Sequence, residues 1–67
     1  MTLTINGEQR AFGPPVVDVA SLVAALGLDP RKVAIEKNLE IVPRSAYQAT
    51  ALADGDRIEI VHFIGGG

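Results

Sequence analysis

Cysteine and tryptophan are absent from this 67-residue sequence, and histidine occurs once. Without cysteine, disulfides and thiolate zinc sites are excluded. One histidine then leaves no way to assemble a nitrogen–sulfur metal cage from a single chain. Aromatic residues make up 4%, too few for a platform on which bases stack. Positive charge is also scarce: 6 Lys and Arg stand against 8 Asp and Glu, a net charge of −2. The basic footprint of a nucleic-acid binder is missing. No apolar run approaches the ~20 residues that a membrane span requires. The start, Met1-Thr2-Leu3-Thr4-Ile5, has neither the basic flank nor the apolar block of a secretory signal. Neither nucleic acid nor a membrane is therefore expected as a partner, and a cytoplasmic location is expected.

What the sequence does have is apolar residues, 48% of the chain. A chain of this length forms one domain. Such a domain buries only about 60% of the surface its unfolded chain exposes, so stability rests on a small apolar core.

The elements are short and clearly punctuated. Thr2-Leu3-Thr4-Ile5 alternates as a half-buried strand does. Asn6-Gly7 accepts positive φ at both centres of a two-residue hairpin turn. Glu8 to Phe12 reads as the returning strand, ended by Gly13-Pro14-Pro15. Asp18 suits a helix N-cap. Val19, Leu22, Val23 and Leu26 then share one helical face. Gly27 suits the left-handed position after the helix, with Leu28 touching Val23 in a Schellman motif. Val33 to Glu36 and Ile41-Val42 are strand candidates about a turn at Lys37-Asn38-Leu39-Glu40. Arg44 to Ala53 has no clean period, and Tyr47 and Leu52 are expected to tether it to the core. Asp54-Gly55-Asp56 is a turn before the last strand, Arg57 to Phe63.

One helix covers one face of a small sheet, so the order β-β-α-β-β-β implies an α+β fold with four to five strands around it. The last strand is expected beside the first. Leu3, Ile5, Ile58 and Ile60 then face Leu22, Val23 and Leu26, and Leu22→Ala or Ile60→Ala is expected to cost about 2–5 kcal/mol.

Few residues suit catalysis. Ser21 and Ser45 have only His62 as a base, and a chain this small offers no sheltered pocket of roughly 300 Å³ or more. Asp54-Gly55-Asp56 superficially resembles a carboxylate metal loop, but the twelfth position counted from Asp54 is Gly65, where an EF-hand needs Glu. His62 reads as a half-exposed strand residue. Val61 and Phe63 fall on the sheet face away from the helix, either as scattered surface apolars or as a docking patch.

The strongest signal is the end, Gly65-Gly66-Gly67, which follows an apolar run without a spacer. Glycine lacks Cβ and passes through a narrow channel. A terminal carboxyl, with pKa about 3.5, is an anion at neutral pH and a poor electrophile. Transfer of AMP to it would give a mixed anhydride open to attack.

These residues carry a family likeness. Ile5-Asn6-Gly7-Glu8, the helix from Val19 to Leu28, Val33-Ala34-Ile35-Glu36, Ile41-Val42-Pro43-Arg44-Ser45, the stretch from Asp54 to Val61 and the terminal glycines together resemble the ubiquitin-like β-grasp proteins. Among those, the chain resembles the ThiS-type sulfur carriers of thiamine biosynthesis along essentially its whole length. It departs at Asn38-Leu39, where relatives often have Asn-Gly.

The resemblance implies a β-grasp domain at residues 1–64 and a flexible tail at 65–67. It implies that an adenylating enzyme related to ubiquitin-activating enzymes uses ATP to activate Gly67. Sulfur relayed by a cysteine desulfurase then leaves a thiocarboxylate, which thiazole synthase consumes. The chain would be a protein co-substrate with no catalytic group and no bound cofactor. Gly65 and Gly66 would thread partner active sites, and Val61, Phe63 and Ile64 would form the partner interface. A carrier for molybdopterin synthesis, whose relatives usually run longer, a protein modifier joined through Gly67, and an interaction module with idle glycines remain alternatives.

Overall fold

The computed structural model describes residues 1–63. Ile64, Gly65, Gly66 and Gly67, and with them the expected division between domain and tail, lie outside the described residues. The elements are β1 (Thr2–Ile5), β2 (Glu8–Ala11), α1 (Val19–Ala25), β3 (Val33–Lys37), β4 (Glu40–Val42) and β5 (Arg57–His62), with short 3-10 turns at Pro30–Lys32 and Arg44–Ala46. The five strands form one sheet in the order β2-β1-β5-β3-β4. β1 runs parallel to β5, and the other pairs are antiparallel. This is the expected α+β β-grasp, a mixed sheet around one helix.

Local chemistry sets the elements as the sequence implies. Two-residue turns close both hairpins, with positive φ at Asn6 (49°) and Gly7 (84°) in one and at Asn38 (50°) and Leu39 (72°) in the other. The second turn thus keeps its geometry without glycine, because leucine, which is not β-branched, is held in the left-handed region. At α1 the Asp18 carboxylate accepts the Ser21 amide and the Ser21 hydroxyl accepts the Asp18 amide, a reciprocal capping box. At its other end Gly27 (φ 71°) donates to the Ala24 carbonyl and Leu28 to that of Val23, the expected Schellman pair.

The core comprises Leu3, Ile5 and Ile58 from the paired β1 and β5, Val33, Ile35 and Val42 from β3 and β4, Val19, Leu22 and Val23 from α1, and Val16, Tyr47 and Leu52 from the connections. Tyr47 and Leu52 tether the irregular segment as expected. That segment also caps the helix. Thr50 and Tyr47 carbonyls accept the first two helical amides, of Val19 and Ala20, at 3.0 and 3.1 Å.

Some boundaries and burials differ from expectation. β2 ends at Ala11, although the Phe12 amide still donates to the Met1 carbonyl. β5 ends at His62, with the Phe63 amide donating to the Lys32 carbonyl at 2.8 Å. Ile60 and Leu26 are only half-buried. Ile60 lies beyond the reach of β1, which pairs with β5 at Thr4–Arg57 and Ile5–Ile58 alone, so the cost expected for Ile60→Ala is reduced accordingly. His62 is exposed rather than half-exposed.

Candidate functional site

β5 is the central strand and delivers the chain towards its terminal glycines. Its inner edge pairs with β1 only at the start; beyond that point a side chain takes over. The Asn6 Nδ2 donates to the Ile60 carbonyl at 3.1 Å, and the Ile60 amide donates to Asn6 Oδ1 at 2.7 Å. The Asn6 carboxamide therefore stands in for one further residue of a neighbouring strand. Asn38 acts similarly on the other edge: its amide donates to the Arg57 carbonyl, and its Oδ1 accepts the Arg57 amide at 2.9 Å. Both turn asparagines thus supply positive φ and hold β5. The dipeptide Asn6-Gly7 signals only the first of these roles.

The register of β3, β4 and β5 sorts residues between the two faces of the sheet. Ile58, Ile60 and His62 share the helix side with Ile35 and Val42. His62 borders a shallow depression with Asn6, Arg10, Leu26 and Leu28, away from Val61. On the open face Ala34 stands opposite Val61, Glu36 opposite Glu59, and Ile41 opposite Glu36. Val61 is 60% exposed, Phe63 51% and Ile41 78%. Phe63 and Ile41 share a second depression with Ala34 and Arg44. Val61 and Phe63 are therefore both exposed near the end of the described chain. Ile41 and Ala34, which the sequence reading did not single out, are exposed on the same face; alternation against buried Val42 was the signal for Ile41.

The remaining candidates are occupied elsewhere. The Ser21 hydroxyl accepts the amides of Val17 and Asp18 and donates to the Asp18 carbonyl, which commits it to the cap. Asp54 accepts the Thr2 amide at 2.6 Å, and Asp56 accepts the Ala53 amide and the Asn38 Nδ2. These carboxylates build the turn into β5. Burial works to raise the Asp56 pKa, but the hydrogen bonds from Asn38 and Ala53, with nearby Lys37, outweigh it and leave it lowered. Among the described residues no group of three His, Asp or Glu is placed to hold a metal ion. Among the described residues no helix is long and apolar enough to cross a membrane.

The comparisons with known proteins agree with this geometry. The model of the ThiS family matches residues 3–67. Over its full length the chain is 57% identical to a thiazole synthase of Paramagnetospirillum magneticum and 42% identical to one of Magnetococcus marinus. It spans 20% of the length of each of those proteins. It is 37% identical over 65 residues to the sulfur carrier protein ThiS of Bacillus subtilis, with 97% of this chain and 98% of that one covered. The crystal structure of the thiamine biosynthesis protein (ThiS) from Geobacter metallireducens matches at a TM-score of 0.84 and 38% identity, with both chains covered in full. With the β-grasp sheet, a family model matching residues 3–67, and a sulfur carrier protein ThiS and a ThiS structure each matched over 98% or more of their length, the chain belongs to the ThiS family.

Proposed function

We propose that this chain is a sulfur carrier of thiamine biosynthesis and a co-substrate without catalytic groups of its own. An adenylating enzyme transfers AMP from ATP to the Gly67 carboxylate, releasing pyrophosphate. The terminal sulfur of a desulfurase persulfide, drawn from cysteine, attacks the adenylate and displaces AMP; a thiol, such as excess cysteine, then reduces the resulting acyl disulfide and leaves a thiocarboxylate. Thiazole synthase then takes that sulfur into the thiazole ring. Gly65 and Gly66 provide the slim approach to partner active sites, and Val61, Phe63 and Ile64 contact the partners.

The observation that carries this reading is the family match, which extends through Gly67. The Bacillus subtilis relative, covered over 98% of its length, is named a sulfur carrier. The two longer relatives are named thiazole synthases and contain a segment similar to this whole chain. That arrangement supports a carrier working beside the enzyme that consumes its sulfur.

Intact mass spectrometry tests the proposal. The chain is incubated with the adenylating enzyme, ATP, cysteine and a desulfurase. A gain matching one oxygen replaced by sulfur, abolished by deletion of Gly67, is the expected result. No gain with an enzyme set active on its own carrier would refute it.

A further inference from the structure

The Asn6 carboxamide is a reactive group as well as a clamp. Its chain neighbour is Gly7, whose amide nitrogen can close a succinimide ring on Asn6 Cγ. Glycine hinders such an attack least, because it has no Cβ. Both residues are exposed. Apart from chain neighbours, no heavy atom lies within 4 Å of where a Cβ on Gly7 would sit. Among the described residues no hydrogen bond occupies the Gly7 amide. The restraint on the reaction is therefore the hold of Ile60 on Nδ2 and Oδ1, at 3.1 and 2.7 Å. Both atoms are borne by Cγ, so the carboxamide must leave β5 before Cγ can turn onto the Gly7 nitrogen. Asn38 is the internal contrast. It too has positive φ, and its carboxamide is held by the Arg57 amide and the Asp56 carboxylate. Its neighbour, however, is Leu39, whose side chain crowds the attacking nitrogen.

We propose that Asn6 is a site of spontaneous deamidation, gated by release of its carboxamide from Ile60, and that the products loosen the hold on β5. The Gly7 nitrogen attacks Asn6 Cγ. A Cγ–N bond forms, the Cγ–Nδ2 bond breaks, and the Gly7 amide proton leaves with Nδ2 as ammonia. Water then opens the succinimide. Addition at Cγ gives aspartate, and addition at the α-carbonyl gives isoaspartate, with the chain running through the side-chain carbonyl. Aspartate still accepts from the Ile60 amide but no longer donates to the Ile60 carbonyl. Isoaspartate adds a methylene to the backbone of the two-residue turn that sets the β1–β2 register. Either product adds a negative charge to an acidic chain. The inference needs only the hairpin and β5, and stands apart from the carrier reading.

The test ages the folded chain in mildly alkaline buffer and follows it by tryptic peptide mapping. Cleavage after Arg10, Lys37 and Arg44 places Asn6 in Met1–Arg10 and Asn38 in Asn38–Arg44. The free Met1–Arg10 peptide, aged alongside, is the unclamped standard. Aspartate and isoaspartate forms are expected in Met1–Arg10 and not in Asn38–Arg44. Where opening is fast, the folded chain reacts at the standard's rate multiplied by the fraction open. Two net hydrogen bonds then slow it about 5- to 150-fold against the peptide. The deamidated chain, separated by its extra charge on an anion exchanger, is expected to exchange the Ile60 amide hydrogen faster than the parent. Four results overturn the proposal: a folded chain that reacts as fast as the peptide, a folded chain that does not react while the peptide does, conversion of Asn38 as fast as that of Asn6, and deamidated chain whose Ile60 exchange is unchanged.

Discussion

Replacing Asn6 by glycine isolates the side-chain clamp on β5. Glycine accepts the φ of 49° found at Asn6. The backbone hydrogen bond from the residue-6 amide to the Ile58 carbonyl, 2.9 Å long, survives the change. Only the two carboxamide bonds to Ile60 are lost. Each is worth about 0.5–1.5 kcal/mol net, so Asn6→Gly is expected to cost about 1–3 kcal/mol. For a domain of this size that lowers the melting temperature by roughly 4–8 °C per kcal/mol. Asn6→Asp separates donor from acceptor. Its carboxylate still accepts the Ile60 amide but sets an unprotonated oxygen against the Ile60 carbonyl. The deficit of Asn6→Asp relative to the parent is expected to shrink as the pH falls through about 4, where protonation restores a donor. Urea melts and hydrogen exchange at the Ile60 amide read both effects. A glycine variant as stable as the parent, with Ile60 still protected, would show that water replaces the clamp at no cost.

Two further outcomes follow from the core and the caps. Leu22, fully buried, is expected to lose about 2–5 kcal/mol on truncation to alanine, and half-buried Ile60 clearly less; equal urea midpoints for the two variants would contradict the burial assignment. Acid is expected to weaken the fold through its depressed carboxyls. The Arg31 side chain holds Asp29 at about 2 against an ordinary 3.8, and the Ser21 amide lowers Asp18. A folded pKa below the unfolded one contributes stability that is present above the unfolded value and lost as pH falls through the folded one. Thermal melts should therefore decline from about pH 4 towards pH 2, less steeply in Asp29→Asn, and an unchanged slope in that variant would remove Asp29 from the explanation.

The parts of this fold that were legible are those written in adjacent residues. Asn6-Gly7, Asp18 and Gly27 each act through bonds within a few positions, so residue type alone names the turn, the cap and the helix stop. Leu39 was harder: its left-handed backbone is imposed by β3–β4 pairing and by Asn38, against its own preference. Nothing in the segment from Arg44 to Ala53 announces that its carbonyls cap α1, because the bonds cross some 27 to 31 positions. Ile60 looked like core by alternation, yet β1 ends before reaching it. The candidate site divides the same way. Val61 and Phe63 were readable from period two along one strand. Ile41, Ala34 and the Glu36–Glu59 pair become a surface only when three strands take their register.

β5 is gripped along both edges, parallel by β1 and antiparallel by β3, with an asparagine side chain on each flank. Sheet hydrogen bonds lie across the strand axis. A tug on the end of β5 along its axis therefore loads these bonds together in shear and does not unzip them one at a time. A load applied to the chain at Phe63 therefore meets a rigid anchor in the sheet, which yields only when several of these bonds fail at once.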